Sequence, residues 1–357
     1  MHILVTGHRG YLGSVMTGVL SGAGHAVTGL DTDFYDGCDF GDGVPDVPWL
    51  RRDIRDVSAA DLAPFDAIVH LAALSNDPLG HLDESRTYDI NYRASVNLAR
   101  EARTAGVPRF VFASSCSLYG AAGDAILDER AAFNPITAYG RSKVLVEEEV
   151  SRLASDSFSP TFMRNATAYG ASPRLRADVV VNNLVGIACT TGEVLIQSDG
   201  TPWRPLVHVE DIARAFLAVL EAPREAVHNE AFNVGNTSEN YQIREVAAIV
   251  QDVVPGCSVR YLEGGGPDPR CYRVNCDKLP SHVPGFSTRW TVRRGVEELH
   301  AAFVRYGLTA DMFARYVRLA RIQDLLREGR LDSQLRWRAA VGAMAVAGAQ
   351  PAERVER

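Results

Sequence analysis

Three observations in the sequence predict an α/β fold, a doubly wound parallel sheet with a smaller, mainly C-terminal lobe. Short apolar runs alternate with helical patterns through the first third of the chain. These runs are continuously apolar, as in strands buried on both faces of a parallel sheet. A glycine-rich turn joins the first run to the first helix.

The 357 residues are 46% apolar and 23% charged, a globular composition that excludes a disordered or fibrous chain. A net charge of −7 argues against a nucleic-acid or polybasic membrane binder. No apolar run approaches the ~18 residues of a membrane span, so no membrane association is expected. The first strand starts at His2, which leaves no room for a signal peptide. Cys38, Cys116, Cys189, Cys257, Cys271 and Cys276 form no CxxC pair and no His/Cys ladder. Reduced thiols in the cytoplasm are therefore expected, with no metal site.

His2–Thr6 reads as a strand closed by Gly7, and a helical pattern follows from Tyr11 to about Leu20. Ala26–Leu30 is a second strand ending at Asp31, Trp49–Asp53 a third and Ala67–Leu71 a fourth. A long helical pattern spans Asp83–Ala105, before a strand at Phe110–Ala113. Tyr139–Leu153 is a further helix and Thr161–Arg164 a further strand. Beyond this point glycines and prolines crowd residues 170–206 and 254–286, which predicts a less regular lobe. Between them lie a helix at Asp211–Leu220 and a strand at Ala231–Val234. Residues 307–338 read as helical, with Leu319, Ile322, Leu325 and Leu326 on one face. Residues 339–357 lack a periodic face and are expected to form a disordered tail.

Thr6-Gly7-His8-Arg9-Gly10-Tyr11-Leu12-Gly13 lies between the first strand and the first helix. Glycines there permit a tight turn and close approach of the backbone to a pyrophosphate. The helix start adds free N–H groups and a positive dipole end. Asp31 stands 18 residues beyond Gly13, placed to accept hydrogen bonds from the adenosine ribose and to repel a 2′-phosphate. Asp33 adds to that repulsion. The pattern predicts a Rossmann-type dinucleotide domain that takes NAD rather than NADP.

Tyr139 and Lys143 stand four residues apart, on one face of a helix. A nearby cation favours phenolate and moves a tyrosine toward neutral titration. Upstream, Ser114-Ser115-Cys116-Ser117-Leu118-Tyr119-Gly120 follows a strand, where a hydroxyl can bond the same substrate oxygen.

With these residues in order, the sequence resembles the extended short-chain dehydrogenases/reductases, in the branch of nucleotide-sugar epimerases and dehydratases. The resemblance runs from His2 to about Leu299 through TGHRGYLG (6–13), HLAA (70–73), SSCSLYG (114–120), YGRSK (139–143) and RPLVHVEDIA (204–213). It implies that Tyr139 is the acid/base, that Lys143 holds the nicotinamide ribose and tunes Tyr139, and that Ser115 assists at the substrate oxygen. It also implies that Gly7, Gly10, Tyr11, Leu12, Gly13 and Asp31 bind NAD, that Asp53 and Ile54 flank adenine, and that Leu71, Ala72 and Ala73 line the cofactor. Asn91 resembles the helix asparagine that supports the catalytic geometry and is grouped with the cofactor residues. Asn182 and Asn183 resemble asparagines that bind the substrate diphosphate, and Arg204 the arginine that clamps it. Arg270 and Tyr272 are expected to cover the nucleotide, while His208 is expected to pack beneath the fold.

Several positions depart from the family. Dehydratases of this branch carry Asp-Glu directly after the Ser/Thr, where this chain has Cys116 and Ser117. Galactose-type epimerases carry a lysine at Ser75, an asparagine at Thr167 and an arginine at Gly265. Ser75, Ser115, Cys116, Ser117 and Thr167 are therefore expected to shape a substrate site that differs from theirs. The domain boundaries expected are 1–165 for the NAD-binding domain, completed by about 207–238. A substrate lobe then takes 166–206 and 239–338, including a helical C-terminal extension. The activity expected is NAD-dependent epimerisation of a nucleotide-diphosphate sugar, most simply at C4, in a homodimer formed by the helices near 84–105 and 139–153. The alternatives are a nucleotide-sugar dehydrogenase, a keto-sugar reductase, a dehydratase, or a non-catalytic dinucleotide sensor.

Overall fold

The structure is a computed structural model that describes residues 1–75, 84–121, 123, 125–262 and 271–338. Its central sheet has seven parallel strands: β1 (His2–Thr6), β2 (Ala26–Asp31), β3 (Trp49–Arg51), β4 (Ala67–His70), β5 (Arg109–Ser115), β6 (Ser159–Asn165) and β7 (Ala231–Val234). Their order is β7-β6-β5-β4-β1-β2-β3. Chain order reverses between β1 and β4, the place where an open parallel sheet forms a crevice at its carboxyl ends. Thr6 is in register with both Leu30 and His70, so the loops after β1, β2 and β4 leave the sheet at one level.

The continuous apolar runs have their expected cause. Leu4 packs on one face with Leu30, Ile68, Phe110 and Phe112. Ile3 and Val5 pack on the other with Val69, Val111 and Met163. Helices Ala94–Thr104 and Ala138–Ser151 supply Leu98, Ala99, Val146 and Val150 to the first face. Helices Tyr11–Gly22 and Val209–Glu221 supply Met16, Leu20, Ile212 and Phe216 to the second. Each fully buried aliphatic side chain contributes roughly 1.5–3 kcal/mol.

The predicted helix at Asp83–Ala105 is instead composite. Glu84–Thr87 and Ala94–Thr104 are α-helical, and Tyr88–Arg93 between them is a wider π-helical segment. Asn91 lies in that segment, where its amide donates to Leu74 O at 2.9 Å and accepts from Leu74 N at 2.7 Å. A π-bulge commonly marks such a functional deformation of a helix.

The second lobe is built around Trp203–His208, paired parallel with Thr167–Tyr169 and antiparallel with Asn240–Gln242. Helices Val180–Thr191, Ile243–Val253 and Val292–Arg305 close its core through Val181, Val185, Val246, Val250, Leu299 and Phe303.

The C-terminal extension departs from expectation in two ways. It is not one helical stretch: Ala310–Arg315 and Arg318–Arg327 are helices, and the chain then turns, with an isolated bridge between Leu331 and Trp337. Gly329 adopts φ 68°, and the Arg330 amide bonds back to Leu325 O at 3.0 Å, a left-handed glycine ending to the helix. Nor does residue 318 onward belong to the substrate lobe. Ile322, Leu325, Leu331 and Leu335 join the sheet-side core of Leu4, Leu30 and Phe34. The tail expected at 339–357 lies outside the described residues. All six cysteines are free, and among the described residues no helix is long and apolar enough to cross a membrane.

Candidate active site

A cleft of about 930 Å³ opens at the carboxyl ends of the strands and extends along the second lobe. At one end stands the glycine turn. Gly7 has φ 73°, and a Cβ there would lie 2.8 Å from Ala72 N. A Cβ on Gly13 would lie 2.1 Å from Gly7 O, so only glycine lets the turn fold back on the helix start. Gly10 precedes helix Tyr11–Gly22 without a side-chain cap, which leaves the first-turn amides of Tyr11 and Leu12 for a ligand. This is a cradle that suits the diphosphate of a dinucleotide. His8 fills the space above Gly29, and burial pushes it down to about 4. It is neutral at pH 7 and adds no cation to the turn.

Asp31 lines the cleft and is aimed by two backbone donors, Arg9 N at 2.9 Å and Asp33 N at 2.8 Å. Burial raises its pKa. Asp33 is placed differently from expectation. It is buried, it pairs with Arg9 at 2.9 Å and Arg174 at 3.3 Å, and it does not line the cleft. Its charge is neutralised locally and cannot supply the repulsion expected of it. Asp53 and Ile54 stand on the cleft wall. Arg55 donates to Asp53 through Nη2 at 2.7 Å; burial opposes ionisation there, but these bonds hold the carboxyl below its usual range. Leu71, Ala72 and Ala73 form the floor beside them.

Ser115 ends β5, and Tyr139 and Lys143 face the same cleft from helix Ala138–Ser151. Thr137 caps that helix by accepting from Gly140 N at 3.1 Å. Ser115 Oγ accepts from Ser117 Oγ at 2.9 Å. Lys143 Nζ donates to Ala113 O at 2.6 Å and lies 5.5 Å from the centre of the Tyr139 ring. Burial pushes the Lys143 ammonium down to about 7, against the pull of Glu147.

Glu147, which the sequence reading passed over, holds this arrangement. It accepts from Ser114 Oγ and is gripped by Arg164, with Nη2 at 2.7 Å and Nε at 3.1 Å. Arg164 also donates to Tyr119 OH at 3.0 Å. The signal was present: Tyr139, Lys143 and Glu147 follow at i, i+4 and i+8, so a carboxylate recurs on the buried helix face.

Toward the second lobe, Ser75, Ser117, Thr167, Asn183, Arg204 and Tyr272 line the cleft. Three predicted residues do not. Asn182 is fully buried and accepts from Gly170 N at 2.9 Å while donating to Arg176 O at 3.0 Å, so it ties a loop together rather than facing a substrate. Cys116 turns inward, its Sγ 3.1 Å from Arg164 O, and burial pushes its thiol well up. Asn91 lies beneath the wall, occupied with Leu74. Arg270 lies outside the described residues. His208 packs as expected, stacked on Trp290 at 3.9 Å with Nε2 2.8 Å from Glu298.

Comparisons with known proteins identify the family. Residues 3–235 match the model of the NAD dependent epimerase/dehydratase family. A UDP-glucose 4-epimerase of Corynebacterium glutamicum is 28% identical over 271 residues, covering 71% of this chain and 80% of that protein. One from Bacillus subtilis is 25% identical over 336 residues, covering 84% and 95%. Among solved structures, MoeE5 in complex with UDP-glucuronic acid and NAD superposes with TM-score 0.74 at 26% identity, over 85% of this chain and 99% of that one. On the match over residues 3–235, this chain belongs to the NAD-dependent epimerase/dehydratase family.

Proposed function

We propose that the protein is an NAD-dependent epimerase of a nucleotide-diphosphate sugar, acting most simply at the sugar C4. The observation that carries this reading is the convergence of Ser115, Tyr139 and Lys143 on one cleft, between the glycine turn and Arg204. NAD supplies a reversible hydride acceptor when bound. In this proposal Gly7, Gly10, Gly13 and the Tyr11 and Leu12 amides hold its diphosphate. Asp31 takes the ribose, and Asp53 and Ile54 flank the adenine. Tyr139 removes the proton from the sugar hydroxyl and returns it after the ring has turned over. Ser115 bonds the same oxygen. Lys143 holds the nicotinamide ribose, and its protonated ammonium stabilises the Tyr139 phenolate.

Arg204 is proposed to pair with the substrate diphosphate, where a guanidinium fork suits two oxygens. Thr167, Asn183, Ser75 and Tyr272 shape the sugar and nucleotide ends. Dehydration is disfavoured by the residues after Ser115: Cys116 faces the interior and Ser117 has no charge, so neither supplies the acid and base for loss of water. The relatives named above make UDP-sugars the first class to test. NAD over NADP, a reduced cytoplasmic setting and a homodimer through the outer sides of helices Glu84–Thr104 and Ala138–Ser151 belong to the same proposal. The first rests on Asp31 and the second on the free thiols. The third rests on those helices packing side by side.

The test is incubation of the purified protein with a panel of nucleotide sugars, read by product NMR and NADH absorbance. Formation of an isomer without NADH release supports epimerisation. Steady NADH release would assign a dehydrogenase instead.

A further inference from the structure

The family match ends at residue 235, yet the C-terminal extension returns to the dinucleotide end of the cleft. Arg318, the first residue of helix Arg318–Arg327, lines the cleft while only 3% exposed. Its guanidinium lies 3.8 Å over the centre of the Tyr35 ring, and one nitrogen donates to Arg174 O at 2.7 Å. The other terminal nitrogen, Nη1, is buried without a hydrogen-bond partner. Among the described residues, no carboxylate lies within ion-pair distance of Arg318. Its neighbour Arg176, in contrast, is paired with Asp178 at 2.9 Å.

Asp178 attracts Arg318 only from beyond ion-pair distance and is itself engaged by Arg176. A buried guanidinium with an open donor and no ion pair of its own is costly, and an anion arriving in the cleft would relieve that cost. The location selects the anion. Tyr35 follows β2, whose end carries Asp31, and Asp31, Tyr35 and Arg318 all line this cleft, with Arg318 seated on the Tyr35 ring. The chain beyond Arg318 is fastened at that end too. Trp337 Nε1 donates to Thr32 O at 2.6 Å, Arg55 donates to Gln334 O at 2.9 Å, and Arg336 pairs with Asp56.

We infer that the C-terminal extension completes the dinucleotide site, with Arg318 supplying positive charge and a donor to the dinucleotide diphosphate. Residues 331–338 tie the extension to the loops that follow β2 and β3. The inference rests on the dinucleotide reading proposed above, and its test separates the two. NAD, ADP-ribose, adenosine and UDP are titrated calorimetrically into the wild type, Arg318→Met and Arg318→Lys. Arg318→Met keeps the stem against Tyr35 and removes the charge. The expected result is a loss of about tenfold or more for NAD and ADP-ribose. Adenosine and UDP stay within about twofold, and Arg318→Lys recovers much of the loss.

Equal weakening of adenosine and ADP-ribose would make Arg318 merely structural. An unchanged NAD affinity, or weakening confined to UDP, would also overturn the inference. A wild type that binds no dinucleotide would overturn the dinucleotide reading itself. Should Arg318→Met not fold, a crystal structure of the wild type with NAD decides. A diphosphate oxygen within hydrogen-bond reach of Arg318 supports the inference, and a diphosphate beyond that reach overturns it.

Discussion

Asp31, Lys143 and Arg204 each depend on one well-placed charge. Asp31 is held by Arg9 N and Asp33 N, so its carboxylate is oriented before any ligand arrives. Asp31→Ala is expected to weaken NAD binding and narrow the gap to NADP, measured by parallel titrations. A wild type that prefers NADP would refute the assignment. Arg204→Ala is expected to raise KM for the nucleotide sugar while NAD affinity holds, at a cost of about 2–5 kcal/mol where a buried diphosphate loses its partner. An unchanged KM would place Arg204 outside the substrate site. At this scale the sequence was informative for residues whose spacing carries chemistry, such as Tyr139 with Lys143. It misled where direction matters. Asn182 and Asn183 are adjacent, yet helical geometry turns the first into the core and the second to the cleft. Cys116 similarly follows Ser115 but points inward, because the strand gives way there to a single tight turn, Cys116–Tyr119.

Among the elements, helix Ala138–Ser151 presents Tyr139 and Lys143 to the cleft, and Glu147 anchors it to β5 and β6 through Ser114 and Arg164. Glu147→Gln leaves Arg164 buried without its counter-charge. Breaking such a pair costs about 3–5 kcal/mol, so a fall of that size in unfolding free energy is expected in denaturant titration. A change under about 1 kcal/mol would show that the pair is not a structural anchor. The strands were legible because each is a short, doubly buried apolar run. The π-helical segment at Tyr88–Arg93 was not: no local pattern marks it, and the bonds that Asn91 makes within it go to the distant backbone of Leu74. The helical pattern read over 307–338 did not show the stop at Gly329, and the apolar face of Leu319, Ile322, Leu325 and Leu326 could not reveal its packing partner. That partner is the sheet-side core, reached only by a long return of the chain.

For the whole molecule, pH links stability to two buried histidines. His70 bridges Thr6 at 2.7 Å and Ser95 at 2.8 Å, and burial pushes it down to about 3. His8 is pushed down to about 4, again by burial. Both take a proton near 6.5 once unfolded, so between about 6.5 and 3 the unfolded state binds more protons. Stability is therefore expected to fall as pH drops through that window, and His70→Gln should make the fall shallower in thermal melts. An unchanged slope in the variant would show that His70 does not contribute to the acid lability. One cleft brings the glycine turn and Tyr139 together, so that a hydride acceptor and a proton acceptor can meet at one sugar carbon. The decisive measurement is turnover of Tyr139→Phe on the nucleotide sugar that the wild type epimerises, with NAD affinity read on the same preparation. An intact fold, NAD binding close to wild type and turnover lower by about 100-fold or more are expected. Full turnover in Tyr139→Phe would exclude Tyr139 as the acid/base.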